Sequence, residues 1–155
     1  MSSPALTPHH WVFDGVAERA IAPTAAQAAR AVPKFLLDLV RVVEMQAIAP
    51  PAVVVDEAGG RGGCWRWAGL QLIAESHISV HGGARYIEID VFSCKPFDLE
   101  RVGAVLSLWF GDGPLFVSQA RGVVDVSPAF VLLRGRLWPV EAPGGEVKAL
   151  GISEN

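Results

Sequence analysis

Apolar and polar positions along the chain recur with two periods, and each marks a different element. The run His9 to Ala17, HHWVFDGVA, reads as a first strand. Thr24 followed three residues later by Gln27 is a capping-box pattern that opens a helix, with Pro23 just outside. Helical spacing then carries Ala29, Val32, Leu36, Leu39, Val43 and Met45 on one face, with Asp38 and Arg41 on the other. Pro33 lacks the N–H that its turn needs, so the helix is expected to kink or split there. Pro50-Pro51 forbids helix, and Ala52 to Val55 reads as a short strand.

A glycine-rich turn follows at Ala58 to Gly63. Two long apolar strands come next, Cys64 to Val80 with a break expected near Gly69, and Tyr86 to Cys94. The connection His81-Gly82-Gly83-Ala84-Arg85 between them is a hairpin signal. Asp98 can cap a second helix with apolar positions Leu99, Val102, Leu106, Trp109 and Phe110, ended by Gly111. Leu115 to Val123 and Ala129 to Trp138 read as two more strands. From Glu141 onward proline, glycine and charge dominate, so residues 1–140 are expected to form one domain and 141–155 a flexible tail. The expected class is α+β, an antiparallel sheet with two helices on one face. Its uncovered face needs a partner, and a homodimer with four layers in the order αββα supplies one.

Composition narrows the function. Hydrophobic residues make up 51% of the 155 and charged residues 19%, which sustains a core and excludes general disorder. Thirteen basic against sixteen acidic residues give a net charge of −3 with no basic stripe. Nucleic acid and anionic membrane surfaces are therefore excluded as partners. The chain start has no basic segment leading into an apolar run, and no window of about 18 uninterrupted apolar residues exists. The expected location is the cytoplasm. Two cysteines are too few for a disulfide scaffold or a zinc site, and no metal is expected. Cys64 reads as packing, and His9 and His10 as solvated.

One stretch carries chemistry. Glu75-Ser76-His77 ends an apolar run, His81 follows five residues after the serine, and Cys94 ends the next strand in Asp90-Val91-Phe92-Ser93-Cys94. In this order the sequence resembles the short prokaryotic S-adenosylmethionine decarboxylases, self-processing pyruvoyl enzymes of polyamine synthesis, over about His9 to Gly122. The resemblance implies that the Ser76 hydroxyl attacks the Glu75 carbonyl and turns the amide into an ester. Loss of the Ser76 α-proton, with His81 as the base, then releases chains 1–75 and 76–155. The second chain would begin with a pyruvoyl group made from Ser76, the covalent cofactor. Its ketone forms a Schiff base with a substrate amine and takes up the electrons released with carbon dioxide. Cys94 matches the proton donor that completes this carboxy-lyase reaction. On a straight strand Ser76 and His81 fall on opposite faces, so the strand must bend, or the two must meet in another way.

The sequence departs from the family after His81. Gly82-Gly83-Ala84-Arg85 stands where the family has Thr-Trp-Pro-Glu, whose Trp and Glu help to hold the nucleoside. The family's adenine-stacking Phe turn falls near Gly62, with Trp65 or Trp67 as substitutes, and Ala68 replaces a hydroxyl eight residues before Ser76. Losing several polar recognition groups weakens binding by orders of magnitude. L-Ornithine and L-arginine therefore stand beside S-adenosylmethionine as substrates, with Asp14, Glu18, Glu88 and Asp90 as candidate acids for a distal cation. A catalytically inert regulatory paralogue is the alternative from a different class.

Overall fold

In the computed structural model the described residues are 9–57, 64–74, 76–121, 125–133 and 136–140. The strands are β1 His9–Val16, β2 Ala52–Asp56, β3 Arg66–Ile73, β4 Ser76–Gly82, β5 Tyr86–Ser93, β6 Leu115–Arg121, β7 Asp125–Leu133 and β8 Arg136–Pro139. They form one sheet in the order β2-β3-β4-β5-β1-β6-β7-β8, and every neighbouring pair is antiparallel. The first strand in sequence thus lies near the middle, between β5 and β6.

Period-two alternation decides which face is covered. Trp67, Gln71 and Ile73 of β3, Ile78 and Val80 of β4, Ile87, Ile89 and Val91 of β5, Phe13 of β1, and Leu115 and Val117 of β6 are all buried on one side. Helices α1, Ala25–Val42, and α2, Leu99–Phe110, close that side with Ala28, Val32, Phe35, Leu36 and Leu39, and with Val102, Leu106 and Phe110. This is the expected α+β arrangement, a sheet with two helices on one face. Both N-caps form as read: the Thr24 hydroxyl oxygen accepts from the Gln27 amide, and the Asp98 carboxylate from the Glu100 and Arg101 amides. Neither helix is long and apolar enough to cross a membrane.

Several boundaries differ from expectation. The apolar run 64–80 is two strands, β3 ending at Ile73, which already pairs with Ser76 at the start of β4. Gly69 lies inside β3. A Cβ there would sit 2.9 Å from a Leu36 methyl and 3.0 Å from a Val80 methyl, so the glycine serves close helix–sheet packing rather than a break. The run 129–138 is likewise divided, between β7 and β8, and β7 begins at Asp125. Helix α1 passes Pro33 unbroken. The missing hydrogen bond is offset by burial of Val32, Phe35 and Leu36 on either side. Ala29 is exposed and Ala28 takes the buried place, one residue and about 100° round the helix. Cys64 is exposed rather than packed, while His9 and His10 are half-buried in the central strand rather than solvated. The glycine-rich turn 58–63, Glu75 and residues 141–155 lie outside the described residues.

Candidate active site

Ser76 is the first residue of β4, directly after the β3–β4 reversal. Its side chain shares the helix-covered face with Ile78 and Val80. Across from it β5 ends at Ser93, whose buried hydroxyl donates to the Lys95 carbonyl at 2.6 Å and accepts from the Lys95 amide at 3.1 Å. This short side-chain closure bends the chain just beyond the strand. The Cys94 amide is thereby turned toward β4, where it donates to Ser76 Oγ at 3.0 Å.

The far side of the bend is tied to helix α1. Lys95 Nζ donates to the Glu44 carbonyl at 2.8 Å, and Arg101 pairs with the Glu44 carboxylate at 2.9 Å. Glu44 itself has φ +56°, the left-handed position after a helix that glycine usually fills. Its amide returns to the Arg41 carbonyl, and the Met45 amide to Val40. A cavity of about 300 Å³ opens between this helix end and residues 95–98.

The opposite face of the sheet is uncovered and carries most of the remaining chemistry. His77 stacks on Phe92 with centroids 5.6 Å apart and planes 7° apart, and His10 meets the same ring edge-on at 5.4 Å. His10 Nε2 lies 2.8 Å from both carboxylate oxygens of Asp90. Further along, the register aligns Asp14, Glu88, His81 and Ala68 across β1, β5, β4 and β3. Asp14 is exposed, and partial desolvation raises its carboxyl above the usual aspartate value. Glu18 is apart from this row and accepts from the Asp112 amide at 2.9 Å.

Of the three expected catalytic residues, Ser76 and Cys94 are brought together and His81 is not. Strand β4 keeps an unbroken register with β3 and β5 from His77 to Gly82, with no bulge. His81 is thus exposed on the outer face, about 16 Å along the strand from Ser76 at roughly 3.3 Å per residue. Beside it a cavity of about 270 Å³ is lined by Val54, Asp56, Arg66, Trp67, Ala68, His81 and Tyr86. Trp67 is mostly committed elsewhere: it is 3% exposed and stacked on Phe110, so it does not present a free ring face there. Tyr86, 49% exposed on the outer face, is the ring available at that cavity. The His10–Asp90 pair was missed. It joins residues 80 apart, and no local spacing announces it.

Among the described residues, no group of three or more His, Cys, Asp and Glu side chains could hold a metal ion. No curated protein is found to match the sequence. The family model for S-adenosylmethionine decarboxylase matches residues 10–119, from the middle of the sheet through β3, β4, β5 and α2 into β6. That span contains Ser76, His81 and Cys94, and the chain belongs to the S-adenosylmethionine decarboxylase family.

Proposed function

We propose that this chain is a self-processing pyruvoyl-dependent α-decarboxylase of polyamine synthesis that cuts itself between Glu75 and Ser76 and acts on S-adenosylmethionine. The observation that carries this reading is the position of Ser76, at the first place of β4 with its Oγ 3.0 Å from the Cys94 amide. A serine there suits conversion to the cofactor, because its hydroxyl is fixed beside the bond to be cut.

Ser76 Oγ adds to the Glu75 carbonyl, the C–N bond breaks, and the hydroxyl proton passes to the freed amine. Loss of the Ser76 α-proton then breaks Cβ–Oγ, and the oxygen leaves as part of the Glu75 carboxylate. Water replaces the nitrogen, which departs as ammonia. The Cys94 N–H is directed at Oγ, the atom on which negative charge develops in that elimination, and it supplies a preorganised donor. A pyruvoyl group supplies a ketone that condenses with an α-amine and accepts the electron pair left when carbon dioxide departs. The Cys94 thiol is the nearby acid that returns a proton to the substrate carbon.

His81 of the same copy is about 16 Å along β4 from Ser76 and on the opposite face, so a base role for it calls for a second copy. The outer face that bears it also exposes Val54, Leu70, Leu72 and Phe116. A homodimer through that face covers them.

A second reading, L-ornithine or L-arginine as substrate, draws on the outer face itself. The Gly82-Gly83 turn offers neither an aromatic nor a carboxylate for a ribose. Asp14 and Glu88, paired across β1 and β5 next to His81, offer acid to a distal cation. Glu18 and Asp90 are engaged with other partners.

A denaturing gel tests the processing. The purified chain should run as two fragments, and Ser76→Ala as one full-length band; a wild type that stays whole is the inert paralogue. Carbon dioxide release from each of the three substrates then separates the two readings.

A further inference from the structure

We propose that Asp90, His10 and Phe92 form a clamp that holds the new chain end beginning at residue 76, acting on it through His77. The proposal rests on the cleavage reading above. Cleavage removes three restraints from residue 76 at once. Its link to residues 74 and 75 is cut, its nitrogen leaves as ammonia, and its Oγ leaves with Glu75. The hydrogen bond from the Cys94 amide to Oγ disappears with that oxygen. Residue 76 is then held by its bond to residue 77 and by what remains of its pairing with Ile73.

His77 is held by a chain of contacts on the uncovered face that core packing does not require. Its ring lies flat on Phe92, which it faces directly across β4 and β5. On the other side Phe92 faces His10 of β1 and meets its ring edge-on. His10 is fixed in turn by Asp90, one Nε2–H shared between two carboxylate oxygens at 2.8 Å each. A carboxylate only accepts, so this contact also places the proton on Nε2. The side chains of His10 and Asp90 are 30% and 28% exposed, part-buried on a face that no helix covers. Three strands are thus cross-linked at the point where β4 acquires a free end. The three residues are positioning residues; none needs to touch substrate.

The test compares wild type with His10→Ala, Asp90→Asn, Phe92→Leu and Phe92→Tyr. A denaturing gel first shows whether each is cut. Phenylhydrazine, which forms a hydrazone with an exposed ketone, then reports how firmly the chain end is held. All four variants should cut to completion. Hydrazone formation should be about fivefold faster or more in the first three, with Phe92→Tyr at the wild-type rate, because a chain end held less firmly opens to the reagent more often. His10→Ala combined with His77→Ala should be no faster than His77→Ala alone. Asp90→Asn perturbs only part-buried polar atoms, so it stays informative if Phe92→Leu does not fold. Cut variants with the wild-type hydrazone rate would overturn the clamp and leave the cleavage reading standing, whereas variants that fail to cut would assign these residues to processing instead. A wild type that is never cut would remove the cleavage reading, and the clamp with it.

Discussion

Ser76 and Cys94 stand 18 residues apart and meet through one N–H···O bond. Both were singled out in the sequence by the motifs that carry the family resemblance, but that Ser76 opens a strand was not legible, because 64–80 reads as one run. Asp14 makes a separate point at the same scale. Its strand position was legible, but its partial desolvation was not, because that comes from the packing of β1 between β5 and β6. Desolvation raises the Asp14 carboxyl, so the folded chain holds that proton more tightly than the unfolded chain does. The ionised form therefore costs stability above the carboxylate range, and the cost vanishes as pH falls below it. Asp14→Asn should raise the melting temperature at neutral pH, with the gain gone by about pH 3, below the ordinary aspartate pKa. Paired thermal melts at the two pH values check this. The His10–Asp90 contact was illegible for the same reason: it exists only once the chain's start is laid beside β5.

At the scale of elements, periodicity located both helices, both caps and the central strands, and it failed where a turn lacked turn residues. Between Ile73, the last residue of β3, and Ser76, the first of β4, the sequence has no glycine, asparagine or proline, so two apolar runs read as one. Gly69 misled in the opposite sense, being a packing glycine and not a break. Gly82, expected in the β4–β5 connection, is the last residue of β4 and lies against Trp67; a Cβ there would collide with the indole ring. Trp67 cannot move freely, since it is buried and stacked on Phe110. Gly82→Ala should therefore destabilise the fold by about 1–3 kcal/mol, as overpacking of a filled core does. Chemical denaturation should show a lower midpoint with an unchanged slope.

On the scale of the whole molecule, the uncovered face is the surface through which the proposed homodimer would form. A stable interface of ordinary size buries about 1,200–2,000 Å² in total, within reach of one sheet face packed on another. The wild type should sediment as a dimer. Leu70→Glu, on the outer face, should shift it toward monomer, whereas Leu108→Glu, on the exposed surface of α2, should not. The same face carries His81, and β4 allows no bend that would return this side chain to its own Ser76. If His81 acts across the dimer, His81→Ala alone should stay largely uncut. Co-expressed with Ser76→Ala, whose His81 is intact, the His81→Ala chains should be cut while the Ser76→Ala chains stay whole. Mass spectrometry distinguishes the two chains by their substitutions. Uncut His81→Ala in such mixed dimers would show that the partner's histidine is not the base. Normal cutting of His81→Ala alone would remove the histidine from processing altogether.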